Sequence, residues 1–423
     1  MGLAELAGGG YLGAMQDFQL YQQILGLIEP WRVKQVTLDH PAREVRIEVE
    51  CTESLWGCPQ CAARMQVHEW ERRRWRHLDS CQYKTILEAA VPRVRCPTHG
   101  TQTVAVPWAE KFGRFTRLFE RLAIDLMLEC SVAGACAILR ISWDEADGIK
   151  QRAVKRGLER KGHPVPRRLG VDEKSAARGH DYLTLVANVA GEQTTVEYVA
   201  EGRTQESLDA YWRQFRPAEL AAVEAVAMDM WEPYVNSTLA HVPGAADKIV
   251  HDPFHLVQHL NEAVNEVRKQ EQARLAQRGD DTLHGTRQLW LYGMENLPAA
   301  QAPRFEEVKF LNLQTARAWG IKEVFRSFWC CPTVKKARAY FADWYSWAIR
   351  SRLRPVKKVA RMCKAHLRNI LTYFEHRLTN GPMEGLNNKI QGLIKKAYGY
   401  RNKKRFITDI FFHLGGLDLY PAQ

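Results

Sequence analysis

Residues 168–202 read RLGVDEKSAARGHDYLTLVANVAGEQTTVEYVAEG. Three runs rich in β-branched and aromatic residues are separated by polar or glycine turns, which predicts a three-stranded meander. The first run ends on Asp172. A helix-like stretch (204–216) leads to a second apolar run, VEAVAMDM (223–230), which carries Asp229, and then to the short strand pattern DKIVHD (247–252). A third acid, Glu384, follows Asn380-Gly381-Pro382 near the start of a helical pattern. A carboxylate at the edge of a hydrophobic strand is costly to ionise unless something compensates, and a divalent cation is the usual compensation. Two strand-end aspartates and a helical glutamate form an oxygen-rich set of the kind Mg²⁺ or Mn²⁺ prefers. Two such ions held about 4 Å apart activate a nucleophile and stabilise the leaving oxygen of an in-line phosphoryl transfer. Taken singly, each acid reads equally as a capped turn or a surface group; the strand–strand–helix order of all three favours the metal reading.

Upstream, Cys58-Pro-Gln-Cys61 and Cys96-Pro-Thr-His99 are two knuckles with metal-ligand spacing. A two-residue gap lets both ligands of a knuckle face one ion, and four thiolate and imidazole ligands suit one structural Zn²⁺ with no open position. Cys51 and Cys81 are possible substitutes; two unrelated reduced pairs are the alternative. Between the knuckles, Arg72-Arg73-Arg74-Trp75-Arg76 suits phosphate contacts with an interleaved indole, or equally a solvated strand edge with Trp75 in a small core. The segment SVAGACAILRISWDEADGIKQRAVKRGL (131–158) reads as two short helices. Ser131 caps the first, Arg140-Ile141 turns, and Ser142 caps the second with Glu145 at the capping-box position. A basic second helix bearing Lys150 fits a DNA-reading helix-turn-helix, against the background that most such pairs are ordinary packing.

The chain has 423 residues, enough for two to four units of about 150 residues. Hydrophobic residues make up 46% and charged residues 26%, the balance of a folded chain rather than a disordered one. Sixty Lys and Arg against 48 Asp and Glu leave a net charge of +12, which attracts polyanions. No apolar run of about 18 residues exists, so no membrane span is expected. The opening MGLAELAGGGYLGAM lacks the basic region and apolar core of a secretory signal. Ten cysteines are too sparse for a disulfide scaffold, so a reducing cytoplasm is the expected compartment. VKQVTLD and EVRIEVEC form a candidate hairpin before residue 51, His163-Pro164-Val165-Pro166 is a candidate linker, and a long helical pattern starts at Pro253. Residues 280–350 are helical and rich in Trp; Trp290, Trp319 and Trp329 there are expected in a core.

The order of these pieces resembles the transposases of bacterial insertion sequences, specifically the ISL-three family. The resemblance rests on the two knuckles, the helix-turn-helix, GVDEKS, MDMWEPY, HDPFHLVQHLNEAVNEVRK and TNGPMEGLNNKIQGLIKKAYGYRNKKRF, and runs from about residue 50 to near the end. It implies an α/β, ribonuclease-H-like catalytic domain with a DDE triad of Asp172, Asp229 and Glu384. The 155 residues from the second acid to the third then hold a helical insertion. His99 stands where the family pattern usually has a fourth Cys, an exchange zinc tolerates. Asp252-x-x-His255 resembles a motif that orders the active site in other DDE enzymes; a helix-start Asp and a partly buried His read equally well. Trp231 suits stacking on an unpaired base or packing of a helix on the sheet.

The resulting expectation has four parts: an N-terminal segment (1–50), a zinc-binding domain (51–108), a helix-turn-helix (109–162), and the catalytic domain (163–423) with its insertion around 280–350. The implied reaction is cleavage at element ends followed by joining of the 3′-hydroxyls to target DNA with two Mg²⁺ or Mn²⁺, in a homodimer or higher assembly associated with the bacterial nucleoid. A metal-dependent nuclease or resolvase, and a non-catalytic DNA-binding regulator, are the competing readings. The charge has an address: residues 350–405 hold 16 Lys or Arg and two acids, Glu375 and Glu384, so the rest of the chain sums to −2. Lys395, Lys396, Arg401, Lys403, Lys404 and Arg405 lie within this segment and predict a phosphate track beside Glu384.

Overall fold

The computed structural model describes residues 17–162, 164–177, 181–311 and 313–422. The opening fifteen residues and His163, both weighed in the sequence, lie outside that set. The chain divides into two compact units, residues 1–161 with 417–423, and residues 162–416.

The first unit begins with helix α1 (Asp17–Ile24) and a sheet of six strands: β1 (Trp31–Asp39), β2 (Glu44–Cys51), β3 (Leu55–Gly57), β4 (Arg64–Ser80), β5 (Tyr83–Cys96) and β6 (Gly100–Thr103). The order is β1-β2-β5-β4-β3 with β6 also on β5; the β1–β2 hairpin is antiparallel and β2–β5 is parallel. Strict alternation in β5 sends Thr85, Leu87, Ala89 and Val91 inward, where they meet Trp31, Ile47, Trp75 and Trp108. Three helices follow: α2 (Arg117–Glu129), α3 (Val132–Leu139) and α4 (Trp143–Lys161). Their starts are fixed by side-chain caps. Thr116 Oγ1 accepts from Phe119 N at 3.3 Å and Ser131 Oγ from Gly134 N at 3.1 Å. Ser142 and Glu145 form the reciprocal box, with Ser142 N donating to the carboxylate at 2.8 Å and Glu145 N to the hydroxyl at 3.3 Å. Arg140 makes the α3–α4 turn in the left-handed region, φ +55°.

Residues 417–422 belong to this unit. Arg160 donates to Tyr420 O at 2.6 Å, Tyr420 Oη donates to Asp125 at 2.6 Å, and the Arg121 guanidinium lies 4.8 Å from the Tyr420 ring centre. Gly157 is what lets α4 accept this segment: a Cβ there would stand 2.6 Å from Leu417 Cβ.

The second unit is built on β7 (Arg168–Ala177), β8 (Asp181–Asn188), β9 (Thr195–Glu201), β10 (Ala225–Met228) and β11 (Ile249–His251). Its order is β11-β10-β7-β8-β9; β7, β8 and β9 form the antiparallel meander, while β10 runs parallel to both β7 and β11. One face carries α5 (Gln205–Trp212), α6 (Pro217–Leu220) and α7 (Glu232–His241), over a core that includes Leu169, Val171, Trp212, Val226 and Tyr234. Between β11 and the return to the sheet come α8 (Pro253–Ala276), α9 (Arg287–Leu291), α10 (Ala302–Lys309), α11 (Gln314–Ser327), α12 (Val334–Arg350), α13 (Arg354–Ala365), α14 (Leu367–Leu371) and α15 (Tyr373–His376). They share one core from Leu256 to Phe374, wider at both ends than the Trp-rich stretch 280–350. Trp290 is fully buried in it, and Trp319 and Trp329 pack against it. Finally α16 (Gly381–Lys396) and α17 (Lys403–Leu414) cover the other sheet face through Met383, Leu386, Ile390, Phe406 and Ile410.

Candidate active site and zinc centre

Register brings the acids together. β10 pairs with β7 so that Ala227 stands opposite Gly170, and with β11 so that Met228 stands opposite His251. Asp172 lies in β7, while Asp229 and Asp252 each follow directly on the last residue of β10 and β11; extending that register past the strand ends sets the three level with one another. Asp172 and Asp252, with Glu173, His255, Asn380, Glu384 and Asn387, line a cleft of about 430 Å³. Asp229 is adjacent to it: Oδ2 lies 4.0 Å from His255 Nδ1, and Oδ1 accepts from Met230 N at 2.6 Å.

Glu384 arrives on the first turn of α16 and is exposed at the cleft. The helix is seated by a close approach. Gly170 leaves room for the Met383 side chain, whose Cγ would lie 2.5 Å from any Cβ at that position. One turn on, Asn387 Nδ2 donates to Asp172 Oδ2 at 2.8 Å, while Glu173 N donates to Oδ1 at 2.8 Å. Lys174 Nζ donates to Asn387 O at 3.2 Å. Asp172 is therefore held from its own strand and from the glutamate-bearing helix.

The cleft gathers several carboxylates, with Arg203 3.6 Å from Glu173 beside them. Burial pushes the Asp172 carboxyl up to about 6, and the charges of Glu173 and Asp229 add to the rise against the hydrogen bond from Glu173 N. Burial raises Glu173 as well, with Asp229 reinforcing it, and burial raises Asp252. Asp252 Oδ1 accepts from Asn380 N at 3.2 Å, which ties β11 to the residues just before α16.

The zinc knuckles meet. Cys58, Cys61, Cys96 and His99 offer ligand atoms that all lie within 4.8 Å of one another, the one such group among the described residues. The separations are 3.7 Å for Cys61 Sγ to Cys96 Sγ, 3.7 Å for Cys58 Sγ to His99 Nδ1 and 3.5 Å for Cys96 Sγ to His99 Nδ1. A tetrahedral zinc with ordinary bond lengths has S–S edges of about 3.8 Å and S–N edges of about 3.6 Å. The cluster suits a structural zinc site. Cys51 and Cys81 stand apart from it, Cys51 hydrogen-bonding Glu53 O and Cys81 exposed in the β4–β5 turn.

Three family models match along the chain: one described as a transposase over residues 169–410, one as the zinc-finger of transposases IS204, IS1001, IS1096 and IS1165 over 54–99, and one as the helix-turn-helix domain of transposase family ISL3 over 104–154. The chain belongs to the ISL3 family of transposases. It is 28% identical to the transposase for insertion sequence element IS1001 of Bordetella parapertussis over 380 residues, 88% of this chain and 92% of the relative. It is 26% identical to the transposase for insertion sequence element IS1557 of Mycobacterium tuberculosis over 435 residues, 95% of this chain and 96% of the relative. The second unit is accordingly the ribonuclease-H-like, DDE-type catalytic core with a helical insertion, and zinc-ribbon and helix-turn-helix regions precede it. No helix among the described residues of this transposase is long and apolar enough to cross a membrane.

Several expected DNA contacts sit differently from the sequence reading. Lys150 is 2% exposed, so the lysine expected to face DNA is turned into the helical bundle. Two arginines of α4 are engaged by ion pairs within the fold: Arg152 with buried Glu120, and buried Arg156 with Glu110 at 2.9 Å and Glu120 at 3.2 Å. Ser142 is exposed but serves as the cap. On β4, Trp75 is buried against Trp108, which decides for the core reading. Arg76 is turned inward, donating to His77 O at 2.7 Å and pairing with Asp79, and Arg74 pairs with Glu88 at 2.9 Å. Arg72 is exposed and Arg73 lies beside the Trp75 ring. In the second unit Lys395, Lys396, Arg401 and Lys404 are exposed, Arg405 is half-buried, and Lys403 pairs with Asp181 at 2.8 Å and Glu201 at 3.3 Å. Trp231 stands directly before α7, is 37% exposed, and donates through Nε1 to Arg203 O at 3.0 Å.

Sequence reasoning missed Glu173, Asn380 and Asn387. Asn387 lies three residues after Glu384, on the same helical face, and that spacing was a usable signal. Nothing local distinguishes Glu173 from an ordinary strand acid.

Proposed function

We propose that this transposase recognises the inverted repeats of its insertion sequence with residues 51–162, cleaves at the element ends, and joins the freed ends to target DNA, with Asp172, Asp229 and Glu384 as the carboxylates of the reaction. The observation that carries the reading is the level register of Asp172 and Asp229, with the helix of Glu384 tied to Asp172 through Asn387. The donor set is all oxygen, and its buried acids raise one another's affinity for protons, so it fits divalent cations. Bound there, two Mg²⁺ or Mn²⁺ supply a lowered pKa for the attacking hydroxyl and offset charge on the leaving oxygen.

The chain's own part is positioning. The Glu173 amide and the Asn387 side chain fix both oxygens of Asp172, and the Met230 amide fixes one oxygen of Asp229. Glu384 stands at the open mouth, where the scissile phosphate enters. In the first reaction water attacks phosphorus and the bond to the 3′-oxygen breaks, which leaves a 3′-hydroxyl on the element. In the second, that hydroxyl attacks a target phosphodiester and displaces a 3′-oxygen in turn. His255 and Asp252 order the cleft, one beside Asp229 and one anchoring Asn380. Lys395, Lys396, Arg401 and Lys404 contact phosphates. Joining two ends calls for a dimer or higher assembly, and thiolate ligands for zinc suit a reducing cytoplasm.

Asp229→Asn and Glu384→Gln variants are expected to bind element ends and to lose both cleavage and joining. Retained cleavage in Mg²⁺ by either variant overturns the assignment. Supplying pre-cleaved ends separates a transposase from a nuclease of the same chemistry, because a nuclease joins nothing.

A further inference from the structure

The structure splits the basic segment 350–405 in two. Residues 381–405 cover the sheet beside Glu384, whereas residues 350–365 form the end of α12, the turn after it, and α13, which pack on the insertion core. On α13 one face is apolar and buried: Val356, Val359, Ala360 and Cys363. The opposite face, with the turn before it, exposes Arg350, Arg352, Arg354, Lys358, Arg361 and Lys364. Positions 354, 358 and 361 follow helical spacing and make one stripe about 15 Å long between residues 354 and 364.

No carboxylate pairs with any of these six cations among the described residues. Elsewhere on the surface cations are commonly matched: Arg32 with Glu50, Lys34 with Glu48, Arg213 with Glu206, and Arg304 with Glu307. An unmatched row of like charges repels itself, and a polyanion relieves that repulsion. Its placement points the same way. His366, directly after α13, meets the ring of His251 edge to face at 5.2 Å, and His251 is the strand residue before Asp252. The stripe therefore starts next to the catalytic edge of the sheet and leads away from it along the insertion.

We infer that the α12–α13 turn and the exposed face of α13 bind the phosphate backbone of duplex DNA, as a second track separate from Lys395–Arg405. The inference rests on the transposase reading and adds a surface to it. A 15 Å stripe spans about four phosphates of one strand at 3.4 Å each along the duplex axis. The duplex is either the flank of the element end or the target; both present the same chemistry.

The test is a triple variant, Lys358→Gln, Arg361→Gln and Lys364→Gln, in the full chain, with Asp229→Asn in parallel. Binding to an element-end duplex and to a target-like duplex without the repeat is measured by anisotropy across a salt series. Each lost phosphate contact lowers the slope of log K against log salt by about 0.9, so a fall of roughly 2–3 is expected in the arm whose duplex occupies the track. A fall with the end duplex alone assigns the track to the flank. A fall with the target-like duplex, accompanied by reduced joining of pre-cleaved ends, assigns it to the target. Unchanged slopes in both arms, with an unchanged melting midpoint, overturn the proposal and leave a solvated basic face. Asp229→Asn keeps wild-type slopes if the track is independent of the chemistry, so a failed triad assignment shows in cleavage and a failed track in the salt series.

Discussion

Gly170→Ala tests how the glutamate helix is set against the strand that carries Asp172. The new Cβ would stand 2.5 Å from Met383 Cγ, 2.7 Å from Met383 Sδ and 3.2 Å from Val189 Cγ1. Ordinary carbon contacts lie at about 3.5–4.0 Å, so something gives by roughly 1 Å. Met383 is fully buried, and its nearest atom is Cγ rather than the chain end, so rotation within the core does not clear the clash. The relief is a shift of the first turn of α16 away from β7. Overpacking of this kind costs about 2 kcal/mol, which lowers the melting midpoint of a unit this size by roughly 4–8 °C. The shift also moves Glu384, the next residue, and Asn387 one turn on. A 1 Å misplacement of a reacting group costs on the order of 10²-fold in rate. Single-turnover cleavage of saturated element ends is therefore expected to fall about a hundredfold while end binding holds. Met383→Ala alone leaves a cavity and costs about 2–5 kcal/mol. In the double variant the alanine at 170 partly fills that cavity, so the combined loss is smaller than the sum by at least about 1 kcal/mol. Wild-type melting and cleavage for Gly170→Ala, or strict additivity in the double variant, refutes the packing argument.

Removal of zinc by a strong chelator is expected to unfold the β3–β6 end of the first sheet, and His99→Cys is expected to retain the metal while Cys61→Ser weakens it; metal content and the melt of the first unit report both, and an unchanged melt after zinc loss sinks the structural role. Gly157→Ala gains about 1 kcal/mol of helix propensity yet drives a Cβ into Leu417, so it should destabilise the full chain and stabilise a chain ending at Gly416; the same sign in both backgrounds, read by thermal melts, contradicts the docked tail. Burial, with the charge of Arg76, holds the His77 imidazole down at about 4 against 6.5 when unfolded, and its Nδ1 lies 2.9 Å from the α2 cap Thr116. Between those values the unfolded chain binds a proton that the native state refuses, so roughly 3 kcal/mol of stability present above pH 6.5 is lost as pH falls to 4. His77→Gln should flatten that part of the pH–melting curve, and a curve parallel to wild type contradicts it.

What was legible in the chain follows the range of the forces involved. The Ser131 cap and the Ser142–Glu145 box are satisfied within four residues, so their geometry was readable from spacing alone. The zinc knuckles are local pairs as well, and only their meeting across β4 and β5 needed the fold. Asp172 and Asp229, proposed as catalytic acids, stood out because a charged residue at the end of an apolar strand is a conflict with few resolutions. Glu173 was not visible, because its role depends on a cleft wall supplied more than 200 residues later by α16.

Charge shows the limit most clearly. α4 looks like a basic recognition helix, yet Arg152 and Arg156 find Glu110 and Glu120 some 30–46 residues upstream, and Arg160 finds Asp418 from the far end of the chain. A cation on a helix has no preferred partner until tertiary structure brings an anion near, so the same letters describe a DNA-facing surface and a set of intramolecular ion pairs. Segment 350–374 differs in kind, because it contains no acid at all. Any neutralising partner for its lysines and arginines had to come from elsewhere in the fold, and for the six cations of the α12–α13 face the described residues supply none. Absence of local acids over a long basic stretch is thus the more informative signal than an excess of cations within a mixed one. By that criterion the net charge of +12 is concentrated on the insertion and around the Glu384 helix.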